Sequence, residues 1–451
     1  MSGIMQSTVG NFRSSAIPVL VYDLDAATYT GLSASFNGSS QYLDIASTAA
    51  FGFGTADFTI ECWWRPTVNQ RSDVLDFWST PGTNPTTRFD FGRVTSTTLD
   101  LYTDSSPGGS GAKITGPSIA SLLNAWHHIA ITRQSGSIKM WVDGTQAGST
   151  YSANVLDMGT GGMNLRIMGD HGAAGNGSGN LSNVRVVSGV AVYTGTFTVP
   201  TSPLTLTQNA GTNISAITAG QTQLLLPLTS VPFTDSSTNA LSVTNTGTVV
   251  PGVQYPFTAR DSTGNYALTV TNAGSITYST TNGGIFTKSN NVGTDVMYGG
   301  PNYVTGQSYS VFMAYQLTAT SAGRLLNTQS EASKDWLMGA YNGNPNTFYP
   351  NIVVNLPGSG ADTAWHFGWG TWNNTTSTGQ LYIATSSQPT NYSYTATNGG
   401  GGGFNQLRMW SRSSGSEVQT ANIGFVKVYD GVLDLATIQS QYATYKTRFG
   451  Y

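Results

Sequence analysis

The sequence has few charged residues and almost no cysteine. Asp, Glu, Lys and Arg make up 9% of its 451 residues, and the formal net charge is −3. A protein that binds nucleic acid electrostatically needs an excess of basic residues, so this composition excludes a nucleic-acid partner of that kind. Cys62 is the only cysteine. An internal disulfide is therefore excluded, and side-chain packing must stabilise the fold.

No long apolar run lies near the N-terminus. The opening segment, MSGIMQSTVGNFRSS, lacks a basic stretch followed by an apolar core, and this predicts the absence of a signal peptide. The run AIPVLVYDL that follows is far too short to span a bilayer. We therefore expect synthesis in a reducing cytosol and no insertion into a membrane.

Turn and strand formers dominate the residues that are present. The chain contains 54 glycines, and its short β-branched and aromatic runs are broken by Gly, Asn and Ser. This pattern is typical of an all-β protein. One short helix is expected at the C-terminus with Asp434 as its N-cap, because apolar residues there recur at helical spacing; they are Leu435, Ile438, Tyr442 and Tyr445.

Individual strands can be located from their alternation. The segment DFTIECWWR (57–65) places alternate apolar side chains on one side of a strand, namely Phe58, Ile60, Cys62 and Trp64. In SASFNGSSQYLDI (33–45), Asn37-Gly38 predicts a hairpin between two strands.

The second half of the chain repeats the strand order of the first. DFTIECWWR (57–65) corresponds to SYSVFMAYQL (308–317). The segment that begins at Trp126 corresponds to WHFGWGTWNNTTSTGQLYIA (365–384). NLSNVRVVSGVAVY corresponds to ANIGFVKVYDGVLD (421–434). Because only a few segments align, we interpret this as a repeat of the fold. The predicted divisions are an N-terminal arm (1–16), a first domain with trailing linker strands (17–252) and a second domain (253–451).

Four segments of the first half carry a family resemblance. FNGSSQYLDI, DFTIECWWRP, WHHIAITRQSGSIKMWVDG (126–144) and NLSNVRVVSG resemble the laminin-G-like, concanavalin A-like jelly roll. The resemblance implies two tandem β-sandwiches of this type. It is weaker over 257–451, where Trp365-His366 is kept but the Asp-Gly is missing. The segment VVSGVAVYTGTFTVPTSPLTL more closely resembles laminin-G-like domains of tailed-phage virion proteins.

The Trp-His…Asp-Gly segment has an expected structural role in such a fold, since the Trp-His begins a central strand of the family. We expect Trp126 and Ile129 to lie in the core. His127 and His128 are expected to be strand residues with hydrogen-bond partners rather than ligands. Asp143-Gly144 should form a two-residue hairpin turn, because this pair tolerates positive φ.

A catalytic role would require paired carboxylates, because the enzymes among proteins of this fold include glycosidases, which need them. Laminarinase-like members carry Glu-x-Asp-x-x-Glu or a near variant on one strand, and no such motif occurs here. Glu61 has no second carboxylate two or four residues further on. We therefore predict no catalytic residues and no enzymatic activity.

A glycan site can be proposed from aromatic and amide residues. Trp78 and Tyr102 lie beside turn residues, where exposed rings could stack on sugars, although each is at least as well explained as a sandwich residue. The Gly-rich segment GDHGAAGNGSGN (169–180) adds Asp170, His171 and Asn176 to this predicted site.

The same Gly-rich segment offers oxygen ligands for a hard cation. Asp170, Asn176 and Asn180 are candidate Ca²⁺ ligands, because Ca²⁺ prefers carboxylate and carbonyl oxygens. The alternative is a flexible loop that holds no metal. No other cofactor is expected.

These observations favour a non-enzymatic structural protein of a tailed-phage virion. It would be a head-decoration, tail or fibre component, made in the host cytoplasm and located in the virion. Its expected partners are other virion proteins, further copies of itself in a homo-oligomer or multicopy assembly, and host surface glycans. Two alternatives stay open, a free or cell-surface carbohydrate-binding lectin and a glycoside hydrolase of the concanavalin A-like fold.

Overall fold

The computed structural model describes most of the chain. The described residues are 18–70, 72–79, 88–94, 97–103, 111–152, 162–171, 175–271, 275–303, 307–319, 323–329, 336–341, 344–350, 354–355, 363–387, 389–395 and 403–451. The predicted arm (1–16) lies outside them. No helix within these ranges is both long and apolar enough to cross a membrane.

Strands dominate the described residues, as the composition predicts. They are β1 (Val19–Asp25), β2 (Ser33–Asn37), β3 (Tyr42–Thr48), β4 (Phe58–Pro66), β5 (Leu75–Trp78), β6 (Arg88–Val94), β7 (Thr98–Thr103), β8 (Gly111–Ser118), β9 (His127–Gln134), β10 (Ser137–Val142), β11 (Thr145–Ser152), β12 (Met163–Ile167), β13 (Ser178–Ser188), β14 (Thr222–Leu226), β15 (Thr244–Thr246), β16 (Val250–Gly252), β17 (Ala259–Arg260), β18 (Ala267–Thr271), β19 (Ile276–Ser279), β20 (Ile285–Lys288), β21 (Val296–Tyr303), β22 (Tyr309–Leu317), β23 (Leu326–Thr328), β24 (Trp336–Tyr341), β25 (Asn344–Pro350), β26 (Val354–Asn355), β27 (Trp365–Asn373), β28 (Thr378–Ala384), β29 (Thr390–Thr395), β30 (Phe404–Met409) and β31 (Ala421–Asp430).

The predicted C-terminal helix is confirmed as α1 (Leu435–Tyr445), and Asp434 is its N-cap. The Asp434 carboxylate accepts a hydrogen bond from the backbone N–H of Thr437 at 2.8 Å. Ile438 and Tyr442 are buried, whereas Leu435 is exposed. A short 3₁₀ turn, Lys446–Phe449, follows the helix.

The described residues divide into two compact units. The N-terminal unit comprises Tyr29–Arg260 and the described part of 272–286. The C-terminal unit comprises the described residues up to Thr28, together with those of Asp261–Thr271 and Thr287–Tyr451.

The N-terminal unit is a sandwich of two antiparallel sheets. One sheet has the order β11-β10-β9-β4-β13-β2, with β14 also paired to β13, and the other has the order β15-β3-β12-β5-β6-β7-β8. The core between them is built from alternate residues of most of these strands, among them the four predicted from β4, Phe58, Ile60, Cys62 and Trp64. On the opposite side of the first sheet, the segment after β13 adds a small second core with Trp141, Tyr193 and Phe197.

The C-terminal unit repeats this strand order. The series β10-β9-β4-β13 corresponds to β28-β27-β22-β31, and the second sheet runs β18-β21-β30-β23-β24-β25-β26. The three segment pairs predicted from the sequence occupy equivalent positions in the two series. The all-β fold with tandem sandwiches is therefore confirmed.

The N-terminal boundary of the first domain differs from the predicted division at residue 17. β1 pairs antiparallel with β31, with Leu24 opposite Val426, and both strands belong to the C-terminal unit. In the N-terminal unit the corresponding place beside β13 is filled by β14, with Leu224 opposite Val186. Local alternation identifies β1 as a strand but does not specify a partner some 400 residues away, so the sequence pattern could not assign it.

The two turns predicted from sequence have different outcomes. Asp143 and Gly144 have φ of 49° and 78° and connect β10 to β11, so that hairpin turn is confirmed. The hairpin predicted at Asn37-Gly38 is wrong, because β2 and β3 lie in opposite sheets of the sandwich. Gly38 does have positive φ, but the turn carries the chain across the core instead of back along the same sheet.

Candidate functional site

The seven-stranded sheet of the N-terminal unit has one apolar and one polar face. Successive side chains of a strand point to opposite faces, and Leu75, Phe77, Phe89 and Phe91 of β5 and β6 are fully buried in the core. The side chains that alternate with the core residues in this sheet form what we call the polar face: Tyr42, Asp44, Asp76, Trp78, Arg88, Asp90, Tyr102, Asn164 and Arg166.

Strand register aligns these side chains in rows across the sheet. Asp76 lies opposite Arg166 on one side and opposite Asp90 on the other, and Asp90 lies opposite Tyr102. In the next row Trp78 lies between Asn164 and Arg88. Directly opposed side chains in an antiparallel sheet are close enough to interact, so residues from four strands form one surface.

Arg88 is the centre of this surface. Its guanidinium lies 3.0 Å from Asp73, 2.8 Å from Asp90, 3.2 Å from Asp170 and 3.7 Å from Asp76. The four carboxyl groups are almost completely buried, whereas the Arg88 side chain is 15% exposed. Burial of so many carboxyl groups is costly unless they are paired or protonated.

His171 connects the buried carboxyl groups to the surface. Its Nδ1 lies 2.7 Å from Asp76 Oδ2, and its backbone N–H donates to the same oxygen at 2.8 Å. The His171 imidazole stacks on the Trp78 indole, with 5.0 Å between ring centroids and 9° between ring planes. One carboxylate thus orients both the loop backbone and the ring that covers Trp78.

The surroundings of Asp76 and Asp90 shift the pKa values of these two carboxyl groups in opposite directions. Burial and then the charge of Asp76 raise the pKa of Asp90 far above its usual range. Burial alone would raise the pKa of Asp76 too, but hydrogen bonds from His171 and Asp90 lower it. The arrangement is that of a protonated carboxylic acid, Asp90, beside an ionised carboxylate, Asp76.

Aromatic rings and a second arginine extend the polar face. Arg166 forms a bidentate pair with Asp44, at 2.8 and 2.9 Å, and its Cζ lies 3.9 Å from the Tyr42 ring centroid. Arg166 Cζ also lies 5.7 Å from the Trp78 ring, and Arg88 Cζ lies 5.7 Å from the Tyr102 ring. Tyr42, Trp78 and Tyr102 are all half-buried.

The structure brings together four of the five residues predicted for a glycan site. Trp78 and His171 are stacked, and Asp170 and Tyr102 both approach Arg88. Asn176 forms an isolated β-bridge with Gly169, and its side-chain amide donates to Ser39 O at 2.6 Å. It therefore holds the ends of the loop that carries Asp170 and His171.

The three predicted calcium ligands have other contacts. Asp170 is paired with Arg88, and the Asn176 amide donates to Ser39. Asn180 lies within β13, where its Oδ1 accepts a hydrogen bond from Arg65 at 3.4 Å. The guanidinium of Arg88 already occupies the position beside Asp170 where a bound cation would place its positive charge. These residues therefore fit calcium poorly, and calcium binding stays a prediction.

Several residues of the polar face were missed in the sequence. They are Tyr42, Asp44, Asp76, Arg88, Asp90, Asn164 and Arg166, and Asp73, which contacts Arg88 from the segment before β5, was missed as well. The signal was present in LDFW (75–78) and RFDF (88–91), where charged residues alternate with core residues. Their convergence was not visible, because it depends on the pairing of β5 with β6 and β12.

In the Trp-His…Asp-Gly segment, the turn residue Asp143 binds both histidines at the start of β9. Asp143 Oδ2 lies 2.6 Å from His127 Nδ1, and Asp143 Oδ1 accepts the backbone N–H of His128 at 3.0 Å. Ile129 is fully buried as predicted, but the prediction of Trp126 as a core residue is wrong, since it is half-buried. Trp126 precedes β9, so strand alternation does not fix it on the core side.

Glu61 belongs to a buried polar cluster on the opposite side of β4 from the core. Arg185 Nη2 lies 2.6 Å from its Oε1; its Oε2 lies 3.0 Å from His128 Nε2 and accepts the Tyr193 hydroxyl at 2.6 Å. Burial favours a raised pKa for Glu61, but Arg185 and His128 outweigh it and lower that pKa to about 2. The carboxylate of this cluster is buried. Its hydrogen bond with Tyr193 links the segment after β13 to the sheet.

Comparison with known proteins places this region in a recognised fold. Residues 37–192 match the laminin G family of the concanavalin A-like lectin/glucanases superfamily. The resemblance predicted from the sequence is confirmed over these residues. No curated protein sequence matches the chain.

The solved structures to which the chain is similar are distant in sequence. The binding domain of Paraclostridial Mosquitocidal Protein 1 is 12% identical over 42% of this chain and 49% of its own, with a TM-score of 0.32. Domain 4 of the extracellular arabinanase AbnA from Geobacillus stearothermophilus, solved with arabinotriose, is 16% identical over 40% and 90%, with a TM-score of 0.31. A heptameric pentraxin from Limulus polyphemus is 16% identical over 34% and 75%, with a TM-score of 0.27. The chain spans about half the length of the mosquitocidal binding domain.

Proposed function

We propose that the polar face of the N-terminal unit binds carbohydrate without cleaving it. The observation that carries this proposal is the surface formed by Tyr42, Trp78 and Tyr102, three half-buried rings interleaved with Asn164 and paired arginines. Sugars present an apolar C–H side that packs on aromatic rings and hydroxyls that need hydrogen-bond partners. A shallow surface of rings and polar groups offers both.

Burial of the carboxyl groups supports binding without hydrolysis. A glycosidase needs two carboxyl groups that flank the scissile bond of a bound sugar. Asp76, Asp90 and Glu61 are each 0% exposed, and each is engaged by neighbouring charged or hydrogen-bonding groups. A sugar bound on the polar face would meet the rings and arginines above Asp76 and Asp90, and Glu61 lies outside that face.

The test is binding by a multivalent form of the protein. Single sites on shallow surfaces bind weakly, and display of many copies converts weak affinity into avidity. Beads coated with the protein should bind a subset of an array of glycans, and Trp78→Ala or Tyr102→Ala should reduce that binding at least tenfold. Trp126→Ala is the matched control, because it removes a half-buried tryptophan outside the polar face.

Two results would contradict this proposal. Binding that is unchanged in Trp78→Ala and Tyr102→Ala would place the site elsewhere. Release of reducing sugar that is lost in Asp76→Asn would make the protein a hydrolase.

We infer as a second proposal that the protein is a structural component of a tailed-phage virion, in the head decoration, tail or fibres. The support is the resemblance of VVSGVAVYTGTFTVPTSPLTL (186–206) to such proteins, together with a single buried cysteine and low charge. The segment covers one side of the first sheet through Tyr193 and Phe197. Mass spectrometry of purified particles should find this chain in many copies, and its absence from particles would refute the proposal.

A further inference from the structure

A second polar surface lies on the side of the first sheet that faces away from the core. Arg65 follows Glu61 and Trp63 at alternate positions of β4, so its side chain projects to this side. Strand register places Asn180 of β13 directly opposite Arg65, and Ser35 of β2 directly opposite Asn180. We call Arg65, Asn180 and Ser35 the outer row.

Arg65 pairs with no carboxylate in the part of the chain that the structure describes. Its hydrogen bond there goes to Asn180 Oδ1 at 3.4 Å, and burial of the half-buried guanidinium lowers the pKa of Arg65. By contrast, Arg185 on the same side of the sheet lies 2.6 Å from the Glu61 carboxylate. A partly buried charge without a counter-ion weakens the folded state. A bound anion would supply the charge that Arg65 lacks.

Asn180 and Ser35 add polar groups that are also open to a ligand. Asn180 is 6% exposed, and its Nδ2 group donates no hydrogen bond to a described residue. The Ser35 hydroxyl likewise has no partner among those residues, and neither atom is fully buried. Gly252 leaves both uncovered, because a Cβ at this position would lie 3.5 Å from Asn180 Nδ2 and 3.7 Å from Ser35 Oγ.

Two half-buried aromatic rings border the outer row. The centroid of the Phe257 ring lies 5.5 Å from that of Trp63, which precedes Arg65 on the same side of β4. The Tyr255 ring lies 5.3 Å from the Phe257 ring, and both residues are half-buried. Rings beside a row of hydrogen-bonding groups suit a sugar, which has an apolar C–H side and polar substituents.

We propose that the outer row is a second ligand site, which binds a sugar that carries a carboxylate. The Arg65 guanidinium takes the carboxylate, because its planar fork matches the two carboxylate oxygens. Asn180 and Ser35 bond the neighbouring hydroxyls, and Phe257 packs against the sugar ring. The inference goes beyond the proposed function, because the outer row lies in the other sheet from the polar face and takes a different class of ligand.

The experiment first removes binding at the polar face. Beads coated with the full-length Trp78→Ala/Tyr102→Ala protein are offered three conjugates of one multivalent carrier at equal density, bearing glucose, glucuronic acid or a glutamate-containing peptide. The glucuronic acid conjugate should be retained at least tenfold more strongly than the glucose conjugate, and more strongly than the peptide. Added salt should weaken its retention, because the guanidinium is partly exposed and its charge is screened.

Three further substitutions in the same background locate the binding. Arg65→Gln removes the charge and should abolish the preference for glucuronic acid, whereas Arg65→Lys keeps the charge without the planar fork and should retain part of it. Lys139→Gln is the matched control, because it removes a half-buried cation from β10 on the same side of the same sheet as Trp141. It should leave the preference unchanged.

Thermal unfolding separates a ligand-binding arginine from a structural one. Arg65→Gln should unfold at the same temperature as its parent or at a higher one, because it removes a charge that no described carboxylate compensates. A clear fall in unfolding temperature together with the loss of binding would make Arg65 a structural residue and overturn the inference.

The binding results can also overturn it. Equal retention of the glucose and glucuronic acid conjugates would do so, as would equal losses in Arg65→Gln and Lys139→Gln. Stronger retention of the peptide would make this surface a docking site for an acidic protein segment instead. None of these results decides the proposed function, which is tested by glycans whose binding depends on Trp78 and Tyr102.

Discussion

Lys427 Nζ lies 2.6 Å from Asp23 Oδ1, although the two residues are 404 positions apart in the chain. Asp25 Oδ2 lies 3.7 Å from the same nitrogen, and Arg448 Nη1 donates to Asp25 Oδ1 at 2.7 Å. Lys427 is only 3% exposed. The C-terminal unit is therefore completed, in hydrogen bonds and in charge, by a strand from near the N-terminus.

Removing one partner of this ion pair should destabilise the C-terminal unit. Asp23→Asn would leave a buried ammonium with Asp25 as its remaining carboxylate, and an uncompensated buried charge typically costs about 3–5 kcal/mol. Because Asp25 stays nearby, we expect a loss of ~3 kcal/mol in the free energy of unfolding, measured by denaturant titration. The control is Asp430→Asn, an exposed acid on β31, which should change it by less than about 0.5 kcal/mol.

Truncations should separate the arm from the strand. Deletion of residues 1–16 is expected to leave both units folded. If the protein has the proposed virion role, this deletion should also abolish its incorporation into phage particles. Deletion of residues 1–28 also removes β1 and exposes the edge of β31. Limited proteolysis should then cleave the C-terminal unit while the N-terminal unit stays intact. Equal protease resistance of the two truncated proteins would show that β1 is dispensable.

Acid should destabilise the N-terminal unit through Glu61. Its pKa falls from an ordinary value of 4.5 to about 2 in the folded protein, so ionised Glu61 stabilises the fold above pH 4.5. That contribution, about 3 kcal/mol at ~1.4 kcal/mol per pH unit, is lost as the pH falls from about 4.5 to about 2. Denaturant unfolding at several pH values should show this slope.

Glu61→Gln checks the origin of the acid sensitivity. The variant should be less stable at neutral pH, because Arg185 stays buried without its carboxylate, and its stability should depend less on pH between 4.5 and 2. Glycan binding by the folded protein should persist, since Glu61 lies outside the polar face. An unchanged acid slope would assign the effect to other carboxylates.

Features set by local pattern were predictable from the sequence. The alternation in β4 identified its four core residues, and Asp143-Gly144 marked a turn because two consecutive residues there need positive φ. Four residues predicted for a glycan site, Trp78, Tyr102, Asp170 and His171, lie together in the structure, and glycan binding by them stays a prediction. Arg88, which lies beside Trp78, Tyr102 and Asp170, was not named, because it is brought to them by pairing between strands and not by its position in the chain.

Features set by long-range pairing were not predictable. The place of β1 beside β31 depends on strands at opposite ends of the chain. β2 and β3 lie in different sheets, although Asn37-Gly38 predicts a hairpin between them. Burial of the apolar faces of two sheets outweighs the preference of one dipeptide for a hairpin turn. Trp126 was misjudged because its segment is strand-like, whereas the strand begins one residue later.

Two tryptophans of the same region should differ in their contribution to stability. Trp141 is 1% exposed, and its Nε1 donates to Thr132 Oγ1 at 2.8 Å, whereas Trp126 is half-buried. Trp141→Ala should therefore cost about 3–5 kcal/mol, the usual loss for a buried aromatic side chain. Trp126→Ala should cost about half as much or less. Thermal unfolding of the two variants under the same conditions provides the comparison, and equal losses would place Trp126 in the core.

Substitution of the two paired aspartates should have opposite consequences. Asp90 keeps its proton to a higher pH in the folded protein than in the unfolded chain, so folding stability falls as the pH rises above about 4. An amide reproduces a protonated acid, since it can donate to Asp76 and accept from Arg88. Asp90→Asn should thus be as stable as the wild type or more stable at neutral pH, and it should lose this pH dependence.

Asp76→Asn should be destabilising by about 1–3 kcal/mol. The ionised Asp76 oxygen accepts both the ring N–H and the backbone N–H of His171, and an asparagine there weakens both bonds. The loop that holds His171 against Trp78 should loosen, which near-ultraviolet circular dichroism would detect. Both variants should be compared by denaturant unfolding between pH 5 and pH 9. If Asp76→Asn were the tolerated variant, the proton would belong to Asp76, and the carboxylate that orients the Trp78 stack would have to be sought in another residue of the cluster.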